Sequence, residues 1–275
     1  MNTTGNLWEM LCKDLQTQRT GAQAKDHALI AQRFFETASE VFVTNSPRLC
    51  SAIEIAGDVC QASGDFSSAI RYFRDGLAKS LESKNQVSAA RVSAKLGLLL
   101  DQTGDASAAK YYYEQAISLY DQIHDHSQHC MLLNQLASLC WGMGERDEAV
   151  RNYQLALDMA AKLHGDTHPE VALCANNFGV ACTQMGNHEM AERLHMQALG
   201  VREKCFGSHH PDVAQSMANL AVVYHGRGNY DKAQAFYKAA LKTYERFPQK
   251  HAADRETVKA NYEALIRRME RKASE

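Results

Sequence analysis

The sequence contains little proline and no long apolar run. Only four of its 275 residues are proline, and no stretch approaches the 18 or so consecutive apolar residues that indicate a membrane-spanning helix. Alternating β-branched segments are scarce, whereas good helix formers such as alanine, leucine, glutamine and glutamate dominate. These absences argue against membrane insertion and predict an all-α chain.

The chain also lacks a strong net charge. Its 30 Lys and Arg residues nearly balance its 32 Asp and Glu residues, so the overall charge favours neither nucleic acid nor an anionic membrane as a partner. The N-terminal segment MNTTGNLWEM has neither the pattern of a secretory signal nor a Met-Gly start. We therefore expect a cytoplasmic protein whose eight cysteines are reduced thiols.

Motifs that carry catalysis or cofactor binding are missing as well. There is no Gly-rich phosphate loop, no HExxH, no nucleophile elbow and no carboxylate pair outside the charged helix faces. The N-terminal stretch contains no clear helix-turn-helix, which a DNA-binding regulator would need. We expect no enzymatic activity, no cofactor and no bound metal.

The sequence does contain an internal repeat. Turn-like segments such as TGDASAA and RGNYDKA recur at intervals of 40, 40, 42 and 42 residues, and their glycines are Gly64, Gly104, Gly144, Gly186 and Gly228. An alanine follows each glycine by five residues, and an aromatic residue or a histidine follows it by nine. One helix pair cannot bury its apolar face alone, so such repeats stack into a solenoid.

This pattern resembles the tetratricopeptide repeat (TPR). The segments HGDTHPEVALCANNFG and FGSHHPDVAQSMANLA are most similar to the 42-residue, kinesin-light-chain type. The resemblance implies an all-α fold, a right-handed α-solenoid of stacked antiparallel helix pairs (a TPR superhelix). A complete kinesin light chain would also carry a long coiled coil ahead of its repeats, so the resemblance is to the repeat module.

Three segments are predicted along the chain. Residues 1–43 fit a degenerate capping repeat with an overlong join, residues 44–246 fit five TPR units, and residues 247–275 fit a C-terminal capping helix. The capping helix has an apolar stripe, and its other faces are basic, with Arg267, Arg268, Arg271 and Lys272. A basic docking tail is the alternative interpretation of that helix.

The first helix of each repeat, helix A, is expected to turn one face towards a concave groove. The predicted groove residues are Glu54, Asp58, Arg91, Lys95, Asn134, Gln135, Trp141, Asn176, Asn177, Asn219 and His225. A solvated face would be rich in Lys and Glu, but repeats three to five instead carry amides, small apolar residues and one Trp. An Asn amide both donates and accepts, so it can bracket a peptide backbone whatever the peptide's side chains.

The family resemblance implies that Asn177 and Asn219 hold an extended peptide. Arg91 and Lys95 would then hold an acidic residue of the partner. The carboxylates of Glu54 and Asp58 would hold a basic residue of the partner. We therefore expect a non-catalytic adaptor or scaffold. A peptide-sensing or autoinhibited regulatory TPR protein and an assembly or chaperone-type cofactor of a larger complex are the alternatives, and homo-oligomerisation is open.

The segment HDHSQHC, residues 124–130, resembles a metal site. His126, His129 and Cys130 would share one helix face, which is compatible with zinc. The repeat register favours another interpretation, because His126 falls in the column where helix A begins and Cys130 falls in an alanine-like packing column. We predict a junction between repeats here, with His124 and His129 unexplained.

Two neighbouring columns predict where helix A begins. Nineteen residues before the turn glycines stand mostly good N-cap residues, Asn45, Asn85, Asp125, Thr167 and His209. Two positions later, three of the four prolines share one column, as expected for the first turn of a helix.

Overall fold

The computed structural model describes residues 3–21, 26–43, 46–247 and 249–274, and all regular secondary structure in these ranges is helical. The helices are α1 (Thr3–Gly21), α2 (His27–Val41), α3 (Pro47–Ala62), α4 (Phe66–Glu82), α5 (Gln86–Thr103), α6 (Ala106–Gln122), α7 (His126–Gly142), α8 (Arg146–His164), α9 (Pro169–Gln184), α10 (His188–Phe206), α11 (Pro211–Gly226), α12 (Tyr230–Tyr244) and α13 (Ala252–Ser274). The all-α prediction is confirmed. None of the described helices is long and apolar enough to cross a bilayer.

Two compact units divide the chain, residues 1–132 and residues 133–275. In the first unit, each of the helices α1 to α5 packs against the next helix in sequence. In the second unit the same nearest-neighbour packing runs from α8 to α13. Helix α7 contributes residues to both units. Packing between sequence neighbours is what a stacked helix-pair repeat requires, since each pair buries its apolar face against the next.

Small residues of one helix receive the aromatic rings of the following helix. A Cβ atom added to Gly97 would lie 2.6 Å from the Tyr113 ring, and one added to Gly179 would lie 2.7 Å from the His195 ring. The alanines five residues after the turn glycines are completely buried, namely Ala69, Ala109, Ala149, Ala191 and Ala233. The cysteines assigned to packing columns are buried too, namely Cys50, Cys60, Cys130, Cys140 and Cys182.

Residues with a positive backbone φ angle lie at the turns within repeats and between repeats. The five predicted turn glycines have φ values of 75° to 88°. The connections between repeats also use positive φ, at Lys84 (56°), His124 (57°), Gly165 (78°) and Gly207 (79°). His124 is thereby explained, because it is the left-handed residue that connects α6 to α7.

The predicted start of helix A is correct in two repeats. Asn85 accepts a hydrogen bond from the Ser88 N–H at 3.1 Å, and Asp125 accepts one from the Gln128 N–H at 3.2 Å. Helices α5 and α7 begin at the following residue. Asn45 lies outside the described residues.

The prediction that Thr167 and His209 cap their helices is wrong. The N-caps of α9 and α11 are His168 and His210, each directly before a proline at the first helical position. In each case the imidazole Nδ1 accepts the backbone N–H two residues later, at 3.3 Å and 3.2 Å. Proline has no N–H and pushes the preceding residue into an extended conformation, so the cap falls on that residue.

The helices at both ends of the chain pack against their neighbours in sequence. On α13 the predicted apolar stripe is confirmed: Val258 and Leu265 are buried in the core with α11 and α12, and Tyr262 and Met269 pack against it. On α1, the Trp8 ring lies 5.7 Å from the Phe42 ring, measured between centroids. The join between α1 and α2 includes residues 22–25, which lie outside the described residues.

Candidate functional site

The predicted groove residues form two groups, one in each unit. Helices α3 and α5 carry the charged cluster, which consists of Glu54, Asp58, Arg91 and Lys95. Helices α7, α9 and α11 carry the asparagine face, which consists of Asn134, Asn176, Asn177 and Asn219. Gln135 and Trp141 also lie on α7, and His225 lies on α11.

Ion pairs within the chain hold the charged cluster together. The Arg91 guanidinium donates to both carboxylate oxygens of Glu54, from Nε at 2.7 and 2.9 Å and from Nη2 at 2.6 Å. Lys95 Nζ lies 2.7 Å from Asp58 Oδ1 and 2.7 Å from Glu54 Oε1. The two cations of α5 therefore neutralise the two carboxylates of α3.

Burial makes Glu54 dependent on this pairing. The residue is 6% exposed, and burial alone would raise its pKa, but the hydrogen bonds from Arg91 and Lys95 outweigh burial and lower the pKa. The same hydrogen bond raises the pKa of Arg91. An acidic residue of a partner would have to compete with Glu54 and Asp58, so recognition of such a residue by Arg91 and Lys95 stays a prediction.

Side-chain amides connect three helices of the second unit. Asn177 Nδ2 lies 3.4 Å from Asn134 Oδ1, which links α9 to α7. Asn176 Nδ2 lies 3.4 Å from Asn177 Oδ1, and Asn219 Nδ2 donates to Asn176 Oδ1 at 2.9 Å, which links α11 to α9. The structure thus brings the predicted asparagines together as one chain of amide groups.

These amides retain hydrogen-bonding capacity towards solvent. Each Asn side chain offers two N–H donors and two acceptor lone pairs, and the observed chain uses only part of that number. Asn134 and Asn176 are buried, whereas Asn177 and Asn219 are half-buried and reach the surface. Leu173 lies on the same side of α9, one turn before Asn176 and Asn177, and is exposed. An apolar residue therefore stands beside the amides.

Two of the remaining predicted residues, Trp141 and His225, lie near basic side chains. Trp141 is half-buried, and the Arg146 guanidinium lies 5.3 Å from its ring centroid. Half-buried His225 contacts Tyr230 edge-on, with ring centroids 5.9 Å apart. Burial, together with the charge of Arg268, lowers the pKa of His225. Gln135 is half-buried on α7.

The sequence prediction did not place Tyr230 or Arg268 beside His225. Arg268 Nε donates to the Tyr230 hydroxyl at 2.9 Å, which joins α13 to the start of α12. The only indication of this contact in the sequence was the basic side of α13. The sequence did not show that this side lies beside α11, because that depends on how α13 packs.

In the part of the chain that the structure describes, three groups of side chains have metal-ligating atoms within 4.8 Å of one another. They are Asp121 with His126 and His129, His164 with His168 and Glu170, and Cys140 with Glu145 and Glu148. The first group differs from the one that the sequence suggested, because Cys130 is completely buried and Asp121 stands in its place. In the second group the His164 and His168 rings stack at 4.4 Å, and His164 Nε2 lies 2.8 Å from Glu170. The absence of a bound metal stays a prediction.

Comparison with known proteins identifies the family. Sequence profiles described as tetratricopeptide repeat match residues 90–122, 128–204 and 180–246, together more than half of the chain. The chain belongs to the tetratricopeptide repeat family. Proteins of this family are generally non-catalytic scaffolds that bind proteins or peptides. A search of curated proteins found no match.

Solved structures confirm the fold. BtubC (BKLC) from P. vanneervenii superposes with a TM-score of 0.72 at 24% identity, covering 84% of this chain and 94% of that chain. Kinesin-light-chain TPR-like repeats from Podosopora anserina give 0.62 at 18% identity, covering 73% and 97%. A Rap protein complexed with Competence and Sporulation Factor gives 0.57 at 16% identity, covering 79% of this chain and 59% of that chain. The α-solenoid of kinesin-light-chain-like TPR units is thus confirmed.

Proposed function

We propose that this protein is a non-catalytic adaptor that binds an extended segment of a partner protein across the asparagine face. The observation that carries the proposal is the chain of amide groups linking Asn134, Asn177, Asn176 and Asn219. Its mutual hydrogen bonds orient the amides before any ligand arrives, which reduces the ordering cost of binding.

An extended peptide matches the chemistry of this face. Its backbone presents N–H and C=O groups at a rise of about 3.3 Å per residue, and an Asn amide can serve either group. Each such hydrogen bond contributes about 0.5–1.5 kcal/mol net, so several are needed, and Leu173 adds an apolar contact. Sequence preference would come from the partner side chains that meet residues around the amides.

The charged cluster is assigned a secondary role. We infer that its main function is to fasten α5 to α3, since Glu54 is buried and held by three short hydrogen bonds. An acidic partner residue would bind Arg91 or Lys95 only by displacing a carboxylate of the chain. Charge reversal at these positions would leave Glu54 buried without its partner, so it would test stability together with binding.

A peptide-sensing regulatory TPR protein is the second candidate. It is supported by the likeness in fold to the Rap protein that was solved with Competence and Sporulation Factor. We also propose a cytoplasmic location, and we propose that residues 1–43 and 247–275 cap the repeats. The adaptor proposal is preferred because it requires only the binding surface.

Affinity selection tests the adaptor proposal. A display library of random twelve-residue peptides would be selected on the full-length protein, and the enriched peptide would be measured by fluorescence anisotropy. Because two side chains that bond the peptide backbone are lost, Asn177→Ala with Asn219→Ala is expected to weaken binding about tenfold or more.

The matched control removes two amides that lie outside the asparagine face, Gln154→Ala with Asn261→Ala, and should change the affinity less than about twofold. Thermal melts would establish that both double variants are folded. Equal affinities for the wild type and the Asn177→Ala/Asn219→Ala variant would overturn the proposal.

A further inference from the structure

A basic pocket lies at the C-terminal end of α11, the helix that carries Asn219, within the second unit. Its volume is about 700 Å³ and it is bounded by α11, α12 and α13. His225, Tyr230 and Ala264 form part of its wall, and the cationic side chains of α13 form the rest, namely Arg267, Arg268, Arg271 and Lys272. Among the residues that the structure describes, no acidic side chain lines this pocket, in contrast to the charged cluster, where each cation has a carboxylate.

Tyr230 organises the cations of this basic pocket. Its hydroxyl accepts the hydrogen bond from Arg268 Nε at 2.9 Å, and Lys272 Nζ lies 5.4 Å from its ring centroid. His225 contacts the edge of the same ring. Because Arg268 uses only Nε for the tyrosine, its terminal nitrogens remain able to donate to a ligand. Like charges gathered around one ring, with no carboxylate among the described residues of the wall, create a positive potential that favours an anion.

The basic pocket shares helix α11 with the asparagine face. His225 follows Asn219 by six residues on this helix, a rise of about 9 Å, and the two side chains leave the helix about 120° apart. An extended chain covers the rise with about three residues, and the step around the helix requires at least about one more. A segment that bonds Asn219 could therefore place a side chain, a few residues further along, among the α13 cations.

We propose that the basic pocket binds a multiply charged anionic group, a phosphorylated side chain or two adjacent carboxylates, on the partner segment that crosses the asparagine face. This inference rests on the proposed function. Arginine binds phosphate and carboxylate oxygens in bidentate fashion, and four cations exceed what a single carboxylate can neutralise. A recess between three helices receives a side chain, whereas a flat bilayer surface would contact only its rim.

Short peptides test the basic pocket separately from the asparagine face. Full-length ¹⁵N-labelled protein would be titrated with three end-blocked peptides, Ala-phosphoSer-Ala, Ala-Glu-Glu-Ala and Ala-Ser-Ala. Saturable amide shifts in α11 and α13 are expected with phosphoserine or with the glutamate pair, and none with serine. The stronger of the two anionic peptides identifies the source of the charge.

Charge reversal supplies the matched comparison. Arg268→Glu with Arg271→Glu is expected to weaken binding of the anionic peptide about tenfold or more, because charge-assisted hydrogen bonds are lost. Lys238→Glu with Lys259→Glu makes the same change in net charge at exposed positions outside the pocket and should leave binding within about twofold. All four side chains are exposed, so both variants should fold, as melting curves would verify.

Three outcomes would overturn the inference. They are the absence of saturable shifts, an equal loss of binding in the Lys238→Glu/Lys259→Glu variant, and sedimentation with phosphatidylserine vesicles, dependent on Arg268 and Arg271, in place of peptide binding. The Asn177→Ala/Asn219→Ala variant should still bind the short anionic peptide. Suppose that the short peptides do not bind, while binding of the selected twelve-residue peptide still requires Asn177 and Asn219. Then only the inference about the basic pocket is rejected. The reverse result rejects the proposed function and leaves an anion site.

Discussion

Close approach between a glycine and a ring decides how the two helices pack in the first, second and fourth repeats. At Gly97 and Gly179 a Cβ atom would come within 3 Å of the ring that follows in the next helix, a separation that side-chain carbons do not adopt. Tyr113 and His195 therefore occupy the volume that an alanine would need. The small-residue column and the ring column of the sequence describe the two sides of this contact.

Alanine substitution at two helical glycines tests this packing. Gly179→Ala is expected to lower the free energy of unfolding by about 1–3 kcal/mol through overpacking against His195, although alanine is the better helix former. Gly200, in α10, has no atom within 4 Å of an added Cβ, so Gly200→Ala should raise the free energy by up to about 1 kcal/mol. Urea unfolding followed by circular dichroism measures both. Changes of the same sign and size would contradict the packing argument.

His195 makes the stability of the second unit sensitive to acid. Its side chain is 1% exposed, and burial, together with the charge of Arg202, lowers its pKa to about 4. The pKa in the unfolded chain is about 6.5, so the unfolded state takes up a proton first as the pH falls. Stability is therefore lost between about pH 6.5 and pH 4, by up to about 1.4 kcal/mol per pH unit.

Replacement of His195 by phenylalanine, the residue that Phe73 supplies in the first repeat, should remove this contribution. The free energy of unfolding of His195→Phe is expected to fall less steeply with acid than that of the wild type over this pH range. The other histidines are common to both proteins, so the difference between the two curves isolates position 195. Parallel curves would show that His195 does not titrate as described.

At the scale of helices and turns, the connections between repeats follow two designs. The α8–α9 and α10–α11 connections use a glycine with positive φ and extended ψ, and a histidine cap before proline. The α4–α5 and α6–α7 connections place Lys84 and His124 at the left-handed position and use Asn85 and Asp125 as N-caps. Asn and Asp caps could be predicted from residue preference. The histidine caps could not, because histidine is not a common cap and serves here only through the extended backbone that proline imposes.

A glycine at position 124 should stabilise the α6–α7 connection. Non-glycine residues at left-handed φ carry a cost of about 1–2 kcal/mol, partly offset by the greater freedom of glycine in the unfolded chain. His124→Gly is therefore expected to raise the free energy of unfolding by up to about 1 kcal/mol. His126→Gly, in the first turn of α7, should lower it. Urea unfolding distinguishes the two, and a loss of stability in His124→Gly would contradict the assignment.

At the scale of the whole chain, most of the confirmed predictions came from the position of each residue within the repeat. The repeat register placed the turn glycines and the buried alanines correctly because both depend on position within one repeat. That helix A turns the predicted face towards a groove stays a prediction. Pairing between repeats was not predicted. Arg91 meets Glu54 across 37 residues and Asn219 meets Asn176 across 43, and these contacts depend on how neighbouring helices are set against each other. The basic pocket similarly depends on the docking of α13.

The most direct test of the adaptor proposal is where a bound peptide lies. The photoreactive residue p-benzoylphenylalanine would replace Leu173, which is 43% exposed on the asparagine side of α9, or Leu155, which is 54% exposed on α8. After irradiation with the selected twelve-residue peptide, mass spectrometry would identify cross-linked products. If the peptide crosses the asparagine face, position 173 cross-links to it and position 155 does not. Cross-linking from position 155 alone, or equally from both, would contradict the proposal.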